Sequence, residues 1–301
     1  MTIKPEPALN LLHALDSGGV LQLSGRDALA FAQAQFANDV TLLADGQWQW
    51  SLWLSAKGRV QAVFALLRLD AQTLLLWLPD LAPESFAEQL RRFRFRSRLE
   101  ISALADAQAM IGFESPAQRG LQARGNIADL VRDPQGGWSR VALDMGGVSP
   151  RVLCLGAQAD AGVRADAAAI ARWRMDDLAH GLPRLDDDGV DAFTPHMLGL
   201  ERLGAFSVKK GCYPGQEIVA RTHFLGQAKR GPLRFRLEAG AVPGARLAAA
   251  DGSIAQRVSV ARWGERVEAL AVGPRDVPPQ LWRAEDGSEA VILPLLEGLA
   301  R

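Results

Sequence analysis

Two strand-like runs, Trp48–Leu54 and Arg59–Leu69, are separated by only Ser55-Ala56-Lys57-Gly58. A connection that short joins antiparallel neighbours, because a parallel crossover consumes about a dozen residues or more. The early part of this chain must therefore build an antiparallel sheet. Val20-Leu21-Gln22-Leu23 alternates as a further strand and stops at Ser24-Gly25, and Thr73–Leu78 follows the Asp70-Ala71-Gln72 turn. Helical spacing marks Arg26–Ala37, and Pro83 sits at a favoured first-turn position of a second helix, Pro83–Arg92. Arg94–Ile101 reads as one more strand, which gives a βαβββ-like lobe.

Beyond it, a short helix within Ser115–Asn126, strands at Trp138–Leu143 and Arg151–Leu155, and an alanine-rich helix at Asp166–Leu178 predict a second mixed lobe. Gly181–Asp191 reads as a loop. After Arg230 the texture changes. Leu233-Arg234-Phe235-Arg236-Leu237 alternates, and short strand candidates separated by Gly and Pro continue nearly to residue 301, the pattern of a small β-barrel. Pattern alone thus yields α+β followed by all-β.

With 48% apolar residues, the 301-residue chain can fill a sizeable core. Lys+Arg and Asp+Glu balance at 34 each, which excludes a general polyanion binder but leaves room for a local patch. No apolar run approaches the roughly 18 residues of a membrane span. Met1–Asn10 lacks the apolar stretch of a secretory signal. Two cysteines far apart suit a reducing compartment, so the cytoplasm is expected.

The chemistry concentrates at Lys209-Lys210-Gly211-Cys212-Tyr213-Pro214-Gly215-Gln216-Glu217. Cysteine reacts as thiolate, and the two preceding lysines favour that form. Gly211 opens the backbone beside the thiol, and Pro214-Gly215 keeps it out of a regular element. Gln216–Arg221 opens a helix whose N-terminal partial charge adds anion stabilisation, with Glu217 and Arg221 spaced to pair. The alternative is a tight turn in which Cys212 is small filler. Cys154, in the apolar run Arg151–Leu155, reads as a packed core thiol. The four histidines, His13, His180, His196 and His223, show no metal-ligand spacing, so no intrinsic metal site is expected.

The Arg91–Arg98 stretch alternates arginine with phenylalanine. On a strand, Arg92, Arg94, Arg96 and Arg98 share one face, either solvated or forming a site for RNA phosphates or a polyglutamyl tail. Trp48, Trp50 and Trp53 are expected to divide between core and surface.

The run Phe193–Arg230, with K-G-C-Y-x-G-Q-E followed by V-A-R, closely resembles the signature of the YgfZ family, folate-binding relatives of the glycine-cleavage T-protein. Gly25–Leu43, Ala56-Lys57-Gly58-Arg59 and Trp173–Pro183 extend the likeness. The resemblance implies T-protein-like lobes (about 1–108 and 109–230) around a central cavity, with a C-terminal β-barrel over 231–301. It implies tetrahydrofolate or a related folate as ligand, with Trp173 stacking, Asp176 or Asp177 as acceptor, and Lys57 facing the cavity. It also implies support of iron–sulfur cluster assembly or repair and thereby of tRNA modification. Cys212 would be the functional thiol, within a motif of Lys210, Gly211, Tyr213, Gly215, Gln216, Glu217 and Arg221. One thiolate cannot hold a cluster alone, so Cys212 would be a transient ligand, with assembly or client proteins as partners.

Departures from the T-proteins weigh against glycine-cleavage chemistry. Their Asp pair after the hairpin falls at about Gln61 and Ala62 here, neither of which can act as a carboxylate base. The Glu of their E-A-G-x-P context is replaced in Ala179-His180-Gly181-Leu182-Pro183, and Pro195-His196-Met197 stands where relatives show Pro-Gln. A tetrahydrofolate-dependent one-carbon transferase is the second reading, and a binding scaffold with a dispensable thiol the third.

Overall fold

The computed structural model describes residues 12–160, 162–186, 188–226, 228–276 and 280–301. The reading of Met1–Asn10 lies outside them. Chain order in the first half is β1 (His13–Ala14), β2 (Gly19–Ser24), α1 (Ala28–Gln35), β3 (Trp48–Leu54), β4 (Val60–Asp70), β5 (Thr73–Leu78), α2 (Pro83–Arg91), β6 (Glu100–Ala103), β7 (Gln108–Gly112), β8 (Asp129–Arg132), β9 (Trp138–Asp144) and β10 (Val152–Gly156). Then come α3 (Ala167–Ala179), α4 (Gln216–Leu225) and the strands β11 (Arg230–Leu237), β12 (Arg246–Ala249), β13 (Ile254–Trp263), β14 (Arg266–Pro274), β15 (Trp282–Ala284) and β16 (Glu289–Leu293).

The strands form two five-stranded sheets, ordered β3-β4-β5-β2-β6 and β1-β7-β10-β9-β8, and a closed barrel, β11-β14-β13-β12-β15-β16. The α+β class and the barrel are as the sequence predicts. β1 precedes the first sheet in sequence but pairs with β7 in the second.

The β3–β4 hairpin has the expected antiparallel register, from Trp48 opposite Leu67 to Leu54 opposite Val60. Every residue of β3 is buried. This corrects the expectation that its tryptophans divide between core and surface; they divide between two cores. Trp48, Trp50, Leu52 and Leu54 join a cluster with Trp138, Trp173 and Phe193, whereas Trp53 packs with Phe31, Phe86 and Leu90 beneath α1 and α2. The first sheet has helices on one face and the second lobe on the other, so neither face of β3 meets water.

Arg94–Ile101 is not a continuous strand. α2 runs on into turns, with Phe93 N–H donating to Leu90 O and Arg94 N–H to Arg91 O, and β6 starts only at Glu100. The alternation Arg-Phe-Arg-Phe imitates a strand period, but the helix carbonyls capture the backbone first. Arg92, Arg94 and Arg96 therefore lie on an exposed turn rather than on one strand face.

After β16, an irregular segment returns through the middle of the structure. Leu296 N–H donates to Ala179 O at 2.9 Å, Gly147 N–H to Gly298 O at 3.2 Å, and the Trp50 indole N–H to Leu299 O at 2.8 Å. Leu299 is 1% exposed within the large apolar cluster.

Candidate functional site

Gly215 is where the cysteine loop meets the rest of the chain. It lies at φ +77 as the residue before α4, a conformation glycine adopts without steric cost. A Cβ there would sit 2.5 Å from Ser55 O and 2.6 Å from Gly58 Cα. Gly58, at φ +67, would in turn thrust a Cβ 2.7 Å from Ile218 Cβ. The tip of the β3–β4 hairpin thus docks on the start of α4 through two glycines. Arg59 braces the contact by donating to Ala192 O at 2.6 Å.

The loop itself is tied down around an exposed thiol. Ser207 Oγ accepts from the Lys209 and Lys210 amides at 3.2 and 3.3 Å, and Tyr213 Oη donates to Ser207 O at 3.1 Å. Gln216 Nε2 donates to Lys210 O at 3.1 Å. Tyr213 is buried, which pushes its phenol up to about 12. Cys212 is exposed, and among the described residues its thiol has no hydrogen-bond partner. With Gly211 it faces Leu29, Ala30, Gln33 and Ala34 of α1 and Thr41 across a groove of about 440 Å³.

Lys210 is not available to the thiol as its spacing suggested. It is 5% exposed, and its ammonium donates to Gln33 O at 2.6 Å, to Phe36 O and to Asn38 O at 3.1 Å. It closes the carbonyl end of α1, where a cation also meets the helix dipole favourably. Burial lowers it to about 8, against an opposing pull from Asp39, so it remains charged at neutral pH. Nor do Glu217 and Arg221 pair, since among the described residues no ion pair joins them. Arg221 instead lines a separate cleft of about 580 Å³ with Thr194, Met197, Ile218, Thr222 and Lys229.

The other expected residues lie elsewhere. Lys57 is exposed on the hairpin tip. Trp173 and Asp176 belong to α3, and Trp173 is fully buried. Its ring is covered by the Arg151 guanidinium at 4.5 Å and meets Phe113 edge-on at 6.2 Å. Stacking on that face would require Arg151 to leave. The polar complement is nonetheless open: Trp173 Nε1, Arg151 Nε and Nη2, and Asp176 Oδ2 are buried without hydrogen-bond partners. Burial raises the Asp176 carboxyl against the opposing pull of Arg151 and of Arg172, whose Nε lies 4.0 Å from Asp176 Oδ2. Three unpaired donors, with an acceptor at Asp176 Oδ2 that is held only by the long contact to Arg172, match the polar edge of a pterin, though not a stacking mode. Asp177 is committed elsewhere, to Arg151 at 2.8 Å and Arg184 at 2.7 Å.

That buried network, with Asp80 accepting from Arg184 at 3.1 Å, escapes sequence reading because its members come from distant segments. Burial pushes Asp80 up while Arg184 pulls it down; Asp80 and Asp177 together hold Arg184 firmly charged. Of the expected core groups, Cys154 is 1% exposed, and burial takes its thiol to about 11. His180, in the departed E-A-G-x-P context, accepts from Val148 N–H through Nε2 at 3.0 Å, which places its proton on Nδ1, 2.7 Å from Asp176 O. Gln61 is partly exposed and Ala62 buried. Among the described residues, no three His, Cys, Asp or Glu side chains could hold a metal. No helix there is long and apolar enough to cross a membrane.

Chemically, the arrangement presents a soft nucleophile on a braced loop beside an apolar shelf, and among the described residues lining that groove Cys212 is the only one with a titratable side chain. It suits exchange or ligation with a visiting group.

No family model matches the chain. It is 28% identical over 229 residues to "tRNA-modifying protein YgfZ" of Colwellia psychrerythraea, covering 73% of this chain and 69% of that protein. With the protein of the same description from Edwardsiella ictaluri it shares 29% over 259 residues, covering 79% and 76%. Its fold matches the glycine cleavage system aminomethyltransferase T of Bartonella henselae with a TM-score of 0.72 at 15% identity, over 94% of this chain and 84% of that one. The chain thus resembles the YgfZ family along most of its length, on the fold of the glycine-cleavage T-protein.

Proposed function

We propose that this protein is an accessory factor of tRNA modification, acting through the assembly or repair of iron–sulfur clusters, with Cys212 as its working thiol and a reduced folate as its ligand. The observation that carries the reading is the exposed Cys212 on a loop held by Lys210, Tyr213, Gly215 and Gln216 while the other cysteine is sealed in the core. A filler cysteine would be buried; this one is presented. The tRNA link rests on the relatives, both described as tRNA-modifying proteins.

In this role the thiolate lends one ligand, or one sulfur relay, to a client that supplies the rest. The folate would be held by Asp176 as acceptor and by the Trp173 and Arg151 N–H groups as donors. When bound, a reduced folate supplies a reducing or one-carbon equivalent. Gln61 and Ala62 provide no carboxylate for a glycine-cleavage reaction. The site is cytoplasmic in this reading, where thiols stay reduced.

The test is complementation of a bacterium lacking its own YgfZ-type protein, with a cluster-dependent tRNA-thiolating activity as readout. Wild type should restore it and Cys212→Ser, at equal expression, should not. Equal rescue by both would make Cys212 structural.

A further inference from the structure

In the arginine–phenylalanine turn after α2, three arginines and Phe95 make no side-chain contact among the described residues that explains their presence. Arg92, Arg94 and Arg96 are exposed, and among the described residues none of them has an acidic partner, whereas Arg91 pairs with Glu84 at 3.0 Å. Phe95 stands 86% exposed at φ 40, a backbone region that a bulky side chain rarely occupies. The turn is nevertheless anchored. Phe93 packs on Trp53 with ring centroids 6.0 Å apart, Ser97 N–H donates to Arg94 O at 2.8 Å, and Arg98 N–H donates to Asp27 Oδ2 at 2.7 Å.

That last bond places the turn relative to the thiol. Asp27 is the residue before α1, and the exposed side of the same helix forms the wall facing Cys212. Eight helical residues span about 12 Å. One helix therefore carries the basic turn at its beginning and the thiol groove along its side.

We infer that this turn is an RNA-docking surface which sets a tRNA against the α1 edge, within reach of Cys212. Three unpaired guanidiniums suit phosphates, and a fixed, protruding aromatic offers a face on which an unpaired base stacks. Neutral net charge argues against strong non-specific binding over the rest of the surface. The choice of RNA over another polyanion rests on the tRNA-linked reading above; the geometry does not.

The test measures binding of labelled tRNA to the full chain by fluorescence anisotropy between 50 and 200 mM salt. Four proteins are compared: wild type, R92Q/R94Q/R96Q, Phe95→Gly and Cys212→Ser. The triple variant should flatten the plot of log affinity against log salt by about 2, since each single-strand phosphate contact contributes about 0.7. Phe95→Gly should weaken binding about 5-fold or more, as loss of one base stack does, yet raise the melting temperature because glycine takes φ 40 freely. A structural role for Phe95 would lower the melting temperature instead. Cys212→Ser should bind like wild type, so a failure of the thiol reading in complementation would leave this result standing. Equal affinity and slope for wild type and the triple variant would overturn the inference. So would binding to anionic phospholipid vesicles, or to an acidic polypeptide, without binding to tRNA.

Discussion

Replacing Lys210 by Met tests whether the lysine serves the fold or the thiol. Methionine keeps the apolar stem but removes the ammonium. The contacts to Phe36 O and Asn38 O are buried, while that to Gln33 O is part-buried. Each buried carbonyl left without a donor costs about 1–3 kcal/mol, for a gross loss of about 2–6 kcal/mol. Relief of the buried charge, which burial already lowers to about 8, offsets part of that. A net destabilisation of about 2–3 kcal/mol remains, or about 4–6 °C at roughly 2 °C per kcal/mol for a chain of this size. Calorimetry measures that loss, and the rate of disulfide exchange at Cys212 as a function of pH measures the thiol. Cys154 stays silent in the exchange assay because it is 1% exposed. The two pH–rate curves should superimpose. A melting temperature unchanged within 1 °C together with a curve displaced to higher pH would refute the reasoning and return Lys210 to the thiol.

Gly215→Ala should lose about 2–4 kcal/mol in chemical denaturation, because φ +77 and the backbone of Gly58 both oppose a Cβ; a neutral result would mean the hairpin tip does not dock as described. His196 is 6% exposed with neither ring nitrogen partnered, and burial lowers its pKa below the ordinary 6.5. The unfolded chain then binds more protons, so stability is full above about 6.5 and falls as the pH drops toward the folded value. His196→Leu should raise the melting temperature by about 2 °C at pH 7 and shrink its decline between pH 7 and 5, with His180, also lowered by burial, supplying the remainder. Arg184→Met should cost about 3–5 kcal/mol in denaturant titrations, because it leaves Asp80 unpaired and Asp177 with one cation.

The local skeleton was legible because its causes are local. A four-residue connection forces the β3–β4 hairpin, Pro83 starts α2, and Asp166 caps α3 by accepting from Ala169 N–H at 2.7 Å. Pro214-Gly215 marked the turn beside Cys212 for the same reason, but the exposure of its thiol is known only from the structure. What failed was direction. Nothing near Lys210 reveals that its acceptors come from residues 33–38, more than 170 positions away. The burial of all three β3 tryptophans needed a second lobe to cover the outer face. Arg151 over Trp173, the contact that closes the stacking face, joins a strand edge to a helix and leaves no trace in either segment. The Arg-Phe run misled because two-residue alternation in sequence says nothing of which backbone partner reaches it first.

The Trp50 indole waits for a carbonyl 249 residues further along the chain. As the polypeptide leaves the ribosome, the first sheet can pair its strands early and the second lobe can cover most of the inner face of its edge hairpin, yet the Trp50 indole finds its acceptor only when residues 296–299 arrive. The nascent protein therefore keeps part of a tryptophan-rich face unsealed after the second lobe has formed, and its vulnerability there to aggregation or to capture by chaperones ends only when that last segment closes over Trp50.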